Sequence, residues 1–457
     1  MEVERPQKTG QPPRIPIETW EAIFRYLTDA SDLRNVSLTS RYMNEVVQPI
    51  LYKRLYLDPN DYAIYTLLLL QGKLELRQKV IDLTLLPPTE RPDGKYDCVD
   101  VEGLYGTLGL PHADWPPEFT SVRESLTWSP LGSPAISQRG GMGFEMYSRP
   151  IFHFLPRFPN LSTLRIIHDC IPEDFLTWIS RLPQLRKLVL RDSALSSDLR
   201  ALPERVELPL QELTMIRVYN KTFGEPHVTN HLCDTLIGGS PHLRSLVMDS
   251  FVERVVCNLL SEIEHPPPVE VFVSTGAGQQ DLDTVTLRNV LNGLPTITTL
   301  TMARIPRELA PLLPRTALPN LRSVKGQIKS LGMFFRAERP IEDISVTDTP
   351  TSSGGVSWDT TIIQFFELLS ASGTPLRSLT FCMGQWSEEV FLCVCQLFPK
   401  LKVLKIQCNS GTVDGVSLSC FFCSIPKLII IVFLVFPYLV WPAFPSNLQR
   451  TRDPSYF

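Results

Sequence analysis

A proline returns along this chain at positions 159, 183, 209, 241, 268, 295, 319, 340, 375 and 399, a mean spacing of about 27 residues. Six of these prolines open the same phrase: proline, one residue, then apolar-x-x-apolar-x-apolar. The phrases are FPNLSTLRI (158–166), LPQLRKLVL (182–190), SPHLRSLVM (240–248), LPTITTLTM (294–302), LPNLRSVKG (318–326) and FPKLKVLKI (398–406). Shorter cousins are LPLQELTM (208–215), PPVEVFV (267–273), RPIEDISV (339–346) and TPLRSLTF (374–381). A unit this short cannot bury its own apolar side, so each must lie against the next and share one continuous core.

L-x-x-L-x-L at this period is the signature of leucine-rich repeats. Each phrase predicts a short strand with leucines inward and Ser, Thr, Arg, Lys and Glu toward solvent. Between them EDFLTWISR (173–181), HLCDTLIGG (231–239), TIIQFFELLS (361–370) and EEVFLCVCQLF (388–398) read as helices. The proline then ends each helix before strand re-entry. KVIDLTLLPP (79–88), with Val80, Leu83 and Leu85, resembles a first strand of the same kind. The closing Asn of the repeat is clear only at Asn409, and unit length varies, so the predicted solenoid is irregular.

The chain begins differently. RIPIETWEAIFRYL (14–27) places Ile17, Trp20, Ile23/Phe24 and Leu27 on one helical stripe. Pro16 sits at the first turn, and Glu18 and Glu21 lie early, where the helix dipole favours them. A second short helix, DLRNVSL, turns Leu33, Val36 and Leu38 inward. A third starts at Ser40 as N-cap, aligns Tyr42/Met43, Val46/Val47 and Ile50/Leu51, and is kinked or ended by Pro49. Three helices this short cannot enclose all of that apolar surface, so part of it is expected to stay open for docking.

I15-P16-I17-E18, I23-F24-x-x-L27, D32-L33 and S37-L38-x-S40-R41 together resemble an F-box. Ile15 replaces the usual leading Leu, and Thr39 stands where Val or Cys is commoner. The resemblance implies docking on the Skp-type adaptor of cullin–RING ubiquitin ligases, with the rest of the chain selecting a protein substrate. Carried over position by position, it implies an adaptor-facing set of Ile15, Pro16, Ile17, Trp20, Ile23, Phe24 and Leu27, joined by Leu33, Val36 and Leu38. F-box followed by irregular repeats resembles a class of substrate receptors much expanded in fungi.

Other chemistry finds little support. His227-x-x-x-His231, followed by Cys233 and Asp234, has metal-ligand spacing, but Val228 replaces the Glu of H-E-x-x-H. Histidines opening a repeat helix read equally well. Cys420-x-x-Cys423 and Cys393-x-Cys395 lie among Phe, Leu and Val, where cysteine acts as a small core residue. R-G-G-M-G (139–143) lacks the Lys-Ser/Thr of a phosphate loop, and no nucleophile motif occurs. No catalytic residue, metal or cofactor is therefore expected.

A net charge of −4 without any Lys/Arg-rich block gives no case for nucleic acid. Ten sparse cysteines and a polar N-terminus without a secretory core predict reduced thiols in cytosol or nucleus. From Val416 to Trp441 the chain is apolar and long enough to span a bilayer, yet Lys427 and prolines 426 and 437 interrupt it. It reads also as a last repeat, with Leu428, Ile431 and Phe433 in the motif positions, or as a non-native tail. All three readings stand.

The expected organisation is α/β: a small N-terminal three-helix F-box at 13–52, then an irregular leucine-rich-repeat solenoid. A connecting helix and first strand occupy 53–86, a Pro/Gly-rich insertion 87–150, the repeat array 151–410 and the apolar segment 411–457. The functional expectation is a non-enzymatic receptor holding an adaptor at one end and an unknown protein substrate on the strand face, through positions such as Arg186, Arg244, Thr298 and Arg322. The rival readings are a repeat scaffold without ligase role and a metal hydrolase built on His227 and His231.

Overall fold

The structure, a computed structural model, describes residues 15–24, 26–27, 30–57, 66–67, 70–86, 151–167, 170–195, 206–220, 230–275, 283–303, 309, 313–336, 339–348, 358–410 and 429–434. The expected insertion at 87–150, the glycine run 139–143, His227, Cys420 and Cys423 lie outside them. The chain divides into two compact units, Met1–Leu243 and Arg244–Phe457.

The first unit opens with three helices, α1 (Ile17–Phe24), α2 (Ala30–Thr39) and α3 (Arg41–Leu51). Pro16 lies just before α1, its carbonyl accepting from Thr19 N–H and Trp20 N–H. Ser40 caps α3 as expected, its hydroxyl accepting from Met43 N–H at 3.1 Å. Pro49, expected to kink or end α3, lies inside a helix that runs on to Leu51. In the last turn its missing N–H removes a single bond.

After Tyr52 and Lys53 the chain enters a parallel sheet. Its strands β1 (Arg54–Leu57), β2 (Asp82–Leu85) and β3 (Thr163–Ile167) pair in order, with Leu55, Leu83 and Leu164 in one row. A short strand β4 (Cys170–Ile171) follows, then β5 (Lys187–Arg191), β6 (Ala194–Leu195), β7 (Glu212–Ile216) and β8 (Tyr219–Asn220). β5 and β7 extend the main sheet, while β4, β6 and β8 make a second, three-stranded one. Asp192 and Arg217 turn the chain from one sheet toward the other at φ 53° and 51°. Their side chains meet in an ion pair, Arg217 Nη2 donating to Asp192 at 2.8 Å.

The second unit repeats the scheme with β9 (Ser245–Met248), β10 (Val271–Ser274), β11 (Thr299–Met302), β12 (Ser323–Gly326), β13 (Asp343–Val346), β14 (Ser378–Gln385), β15 (Val403–Ser410) and β16 (Ile429–Leu434). All pair in parallel in chain order. Helices Ser250–Glu262, Thr284–Gly293, Trp358–Ala371 and Glu388–Leu397 return the chain between strands, as parallel pairing demands. The sheets, their strand order and the intervening helices are those of a leucine-rich-repeat array. The predicted helix over 231–239 is an α-turn, Asn230–Cys233, that widens into a π-turn, Asp234–Gly238. Gly239 closes it: a Cβ there would stand 2.5 Å from the Thr235 carbonyl oxygen and 2.9 Å from that of Val206.

The periodic prolines find their reason here. All six full phrases close a turn from the residue before proline to the leucine-type residue three on. Examples are Leu161 N–H to Phe158 O at 3.2 Å, Leu243 to Ser240 at 3.1 Å and Leu401 to Phe398 at 3.0 Å. Proline thus occupies the second position of a β-turn, where its fixed φ fits. In three shorter cousins, Val269, Ile341 and Leu376 bond two residues back across the proline at 2.8 Å. One residue fewer gives a tighter turn. The residue after each turn is core: Leu161, Leu185, Leu243, Ile297, Leu321 and Leu401 are all buried.

β16 carries the repeat sheet into the apolar C-terminal segment, but out of step. Ile430, not Ile431, stands opposite Leu404, and Val432, not Phe433, opposite Ile406. A run such as IIIVF has no polar residue to fix which set faces inward. Among the described residues no helix is long and apolar enough to cross a membrane.

One carboxylate in the second unit resists its surroundings. Asp249 is buried ahead of the Ser250–Glu262 helix, and Glu253 lies one turn on. Burial pushes the Glu253 carboxyl above its usual range, and the Asp249 charge adds to this against a hydrogen bond with Ser274. A carboxyl raised in the fold lowers stability once ionised, and that penalty disappears as pH falls through the folded value toward the unfolded one. Glu253→Gln is therefore expected to raise the melting temperature at pH 8 and to change it much less at pH 4.5, measured by thermal denaturation across that range.

Candidate functional site

The three N-terminal helices form their own small core. Phe24 of α1, Leu33 of α2 and Val46 and Val47 of α3 are buried together, with Trp20, Leu27, Val36, Met43, Ile50 and Leu51 packed partly covered around them. Trp20 stacks on Phe24 with ring centroids 5.4 Å apart. Of the expected adaptor-facing set, Phe24 and Leu33 are 4% and 6% exposed and fasten the helices to one another. Trp20, Leu27 and Val36 are half-buried at the edge of this core.

Other members of the expected set stay outside. Ile15, Ile17 and Ile23 are 43%, 42% and 46% exposed, Pro16 is exposed, and Leu38 is 77% exposed. Leu38, expected inward with Leu33 and Val36, is instead exposed. Five residues beyond Leu33 it points to the far side of a 3.6-residue helix. Sequence reasoning also missed Tyr26, 87% exposed, and set Tyr42 inward, though it is 40% exposed. An aromatic off the apolar stripe, as Tyr26 is, was the available signal. Tyr42 reaches back to donate to the Ile15 carbonyl at 3.4 Å, so Ile15, Ile17 and Tyr42 gather where α1 begins.

Twelve large apolar side chains are exposed among the described residues, and six of them fall between Ile15 and Tyr42. Full burial of one such side chain contributes about 1.5–3 kcal/mol. Scaled by what is still exposed, covering the six yields on the order of 7 kcal/mol gross. That is comparable to the entropy lost on association, so a partner must also reach the half-buried Trp20, Leu27 and Val36.

The solvent-facing positions of the repeat phrases, Arg186, Arg244, Thr298 and Arg322 among them, differ in exposure. Arg186, Arg244 and Arg322 are exposed on the strand side of their units, while Ser162, Thr163, Lys187, Ser245, Thr298, Thr299 and Ser323 are half-covered there. Lys187 pairs with Glu212 directly across β5 and β7, and Arg165 with Asp82. His231 is half-buried, with Nε2 enclosed and without a hydrogen-bond partner. Burial, aided by Asp234, pushes the Cys233 thiol up to about 12, which keeps it from the thiolate form that binds metal. The Cys393 and Cys395 thiols are likewise raised by burial. Among the described residues no three His, Cys, Asp or Glu side chains converge on a metal position.

The division between core and rim is open to direct measurement. Phe24→Ala is expected to lower stability by about 3–5 kcal/mol, as for a buried aromatic, whereas Ile23→Asp and Leu38→Asp should stay within about 0.5 kcal/mol of wild type. Chemical denaturation followed by circular dichroism checks both.

Residues 13–58 match the F-box-like family model. Among curated proteins no sequence matches the chain. Among solved structures, Rad7 in the yeast Rad7–Elc1 complex aligns over 91% of this chain and 92% of its own, at 12% identity and a TM-score of 0.37. An internalin from Listeria monocytogenes aligns over 62% and 76% at 15% identity, TM-score 0.29. The plant peptide hormone receptor RGFR1, in complex with RGF2, aligns over 62% and 45% at 12% identity, TM-score 0.26. The N-terminal helices of this chain are an F-box-like domain, and it leads directly into a leucine-rich-repeat sheet.

Proposed function

We propose that this chain is the substrate-recognition subunit of a Skp–cullin–F-box ubiquitin ligase. Its F-box-like helices would dock on a Skp-type adaptor, and its repeats would hold a protein substrate. The observation that carries the reading is the family match over residues 13–58 together with the exposed apolar side chains on those same helices. The chain itself would perform no catalysis. It would place a substrate beside a conjugating enzyme brought by the cullin–RING part of the complex, and proximity supplies the acceleration.

One observation favours a second reading, a repeat scaffold without ligase role: the helices close a core of their own. That core accounts for Phe24, Leu33, Val46 and Val47 and leaves Ile23, Tyr26 and Leu38 uncovered. Co-purification with a Skp-type adaptor separates the two readings. Wild type is expected to capture the adaptor, and Ile23→Asp/Leu38→Asp to lose at least about tenfold in affinity while keeping its circular dichroism spectrum. No capture by wild type, or undiminished capture by the double variant, removes the ligase reading.

A further inference from the structure

Along the strand side of β12 to β15, exposed cations outnumber carboxylates. The register sets Lys325, Ser345, Thr380 and Lys405 in one row. Both lysines are exposed, and both hydroxyl residues between them are half-covered. In the first unit, Arg165 and Lys187 are neutralised by Asp82 and Glu212. Among the described residues, Lys325 and Lys405 have no such acidic neighbour within ion-pair distance. Just ahead of the strands stand Arg322, Arg377 and Lys402, all exposed. Among the described residues, two carboxylates answer these five cations, Asp343 on β13 and Glu342, and Glu342 is engaged by Arg377 at 3.2 Å. The chain as a whole carries −4, so this face has the opposite sign to the molecule that bears it.

We infer that the face of β12–β15 is a docking surface for an acidic, extended segment of a partner protein. The inference rests on the proposal that the repeats hold a protein partner, and is independent of the adaptor contact. Geometry fixes the kind of segment. Three strand spacings separate the two lysines, about 14 Å. An extended chain advances roughly 3.3 Å per residue, so carboxylates about four residues apart on one side meet both lysines. The hydroxyls of Ser345 and Thr380 lie between, able to donate to or accept from the segment's backbone. Nucleic acid fits less well, since its phosphates need a denser cationic track than two lysines separated by hydroxyls.

The test uses the full chain and a fluorescent peptide, (Glu-Ser)6, whose alternate residues put every carboxylate on one side of an extended strand. Fluorescence anisotropy at low salt is expected to show binding that weakens by about tenfold or more on moving to physiological ionic strength. (Gln-Ser)6 should not bind. Lys325→Glu/Lys405→Glu should lose at least about fivefold, and Lys325→Gln/Lys405→Gln a smaller amount, while Arg288→Glu on the Thr284–Gly293 helix leaves binding unchanged. Equal binding of (Gln-Ser)6, or indifference to both lysine variants with their thermal transitions intact, overturns the inference. Equal binding of a dodecameric oligothymidylate with the same lysine dependence overturns it too, because the face would then select polyanions. Adaptor capture by the lysine variants, expected to be unchanged, reports on the ligase reading separately.

Discussion

Much of this structure depends on one recurring backbone interaction. At the entry to β2, β3, β5, β7 and β10–β15 a single carbonyl accepts two successive N–H groups from the following repeat. Lys53 takes Ile81 and Asp82, Ser162 takes Arg186 and Lys187, Thr298 takes Arg322 and Ser323, and Arg377 takes Lys402 and Val403. The forked bond aligns neighbouring strands where they begin, so the length of chain between them no longer matters for register. That is how proline spacings from 21 to 35 residues coexist with leucines that stand opposite leucines. Residues 86–162, roughly threefold longer than an ordinary return, separate β2 from β3 without shifting their pairing. Closure of the longer loop adds only about 1 kcal/mol of entropy.

The repeat strands were legible in sequence because their constraint is local and periodic. Apolar positions at a fixed offset from proline became buried positions, with Leu164 and Ile166 or Leu404 and Ile406 as examples. What proline does was less legible, since helix termination and a β-turn place the same demand on φ. The N-terminal helices were legible as helices and as an F-box, yet not in how their apolar residues divide. Ile23 and Phe24 are neighbours in one stripe, and only the packing of α3 decides that Phe24 is core and Ile23 rim. A stripe made to be buried by its own chain and one made to be buried by another are written in the same letters.

Pairings across repeats were hidden for a different reason. Arg165 and Asp82 are 83 positions apart, and nothing local marks them as partners until β2 and β3 are laid side by side. With the register known, Lys187 opposite Glu212 becomes a simple consequence. The same knowledge makes the uncompensated lysines of β12 and β15 conspicuous. At the C-terminal end the sequence misled in the opposite sense: periodicity placed Ile431 where the ladder puts Ile430, because a wholly apolar strand pairs almost as well one step along.

The passage from α3 to β1 carries a mechanical consequence. Only Tyr52 and Lys53 intervene, and both are committed: Tyr52 N–H closes the helix on Gln48, and the Lys53 carbonyl binds Ile81 and Asp82. A hinge needs unbonded backbone, and here both N–H groups and the Lys53 carbonyl are bonded. These bonds tie the end of α3 to the start of β1 and β2. Whatever grips the helices thus holds a piece already stitched to the opening strands of the first unit.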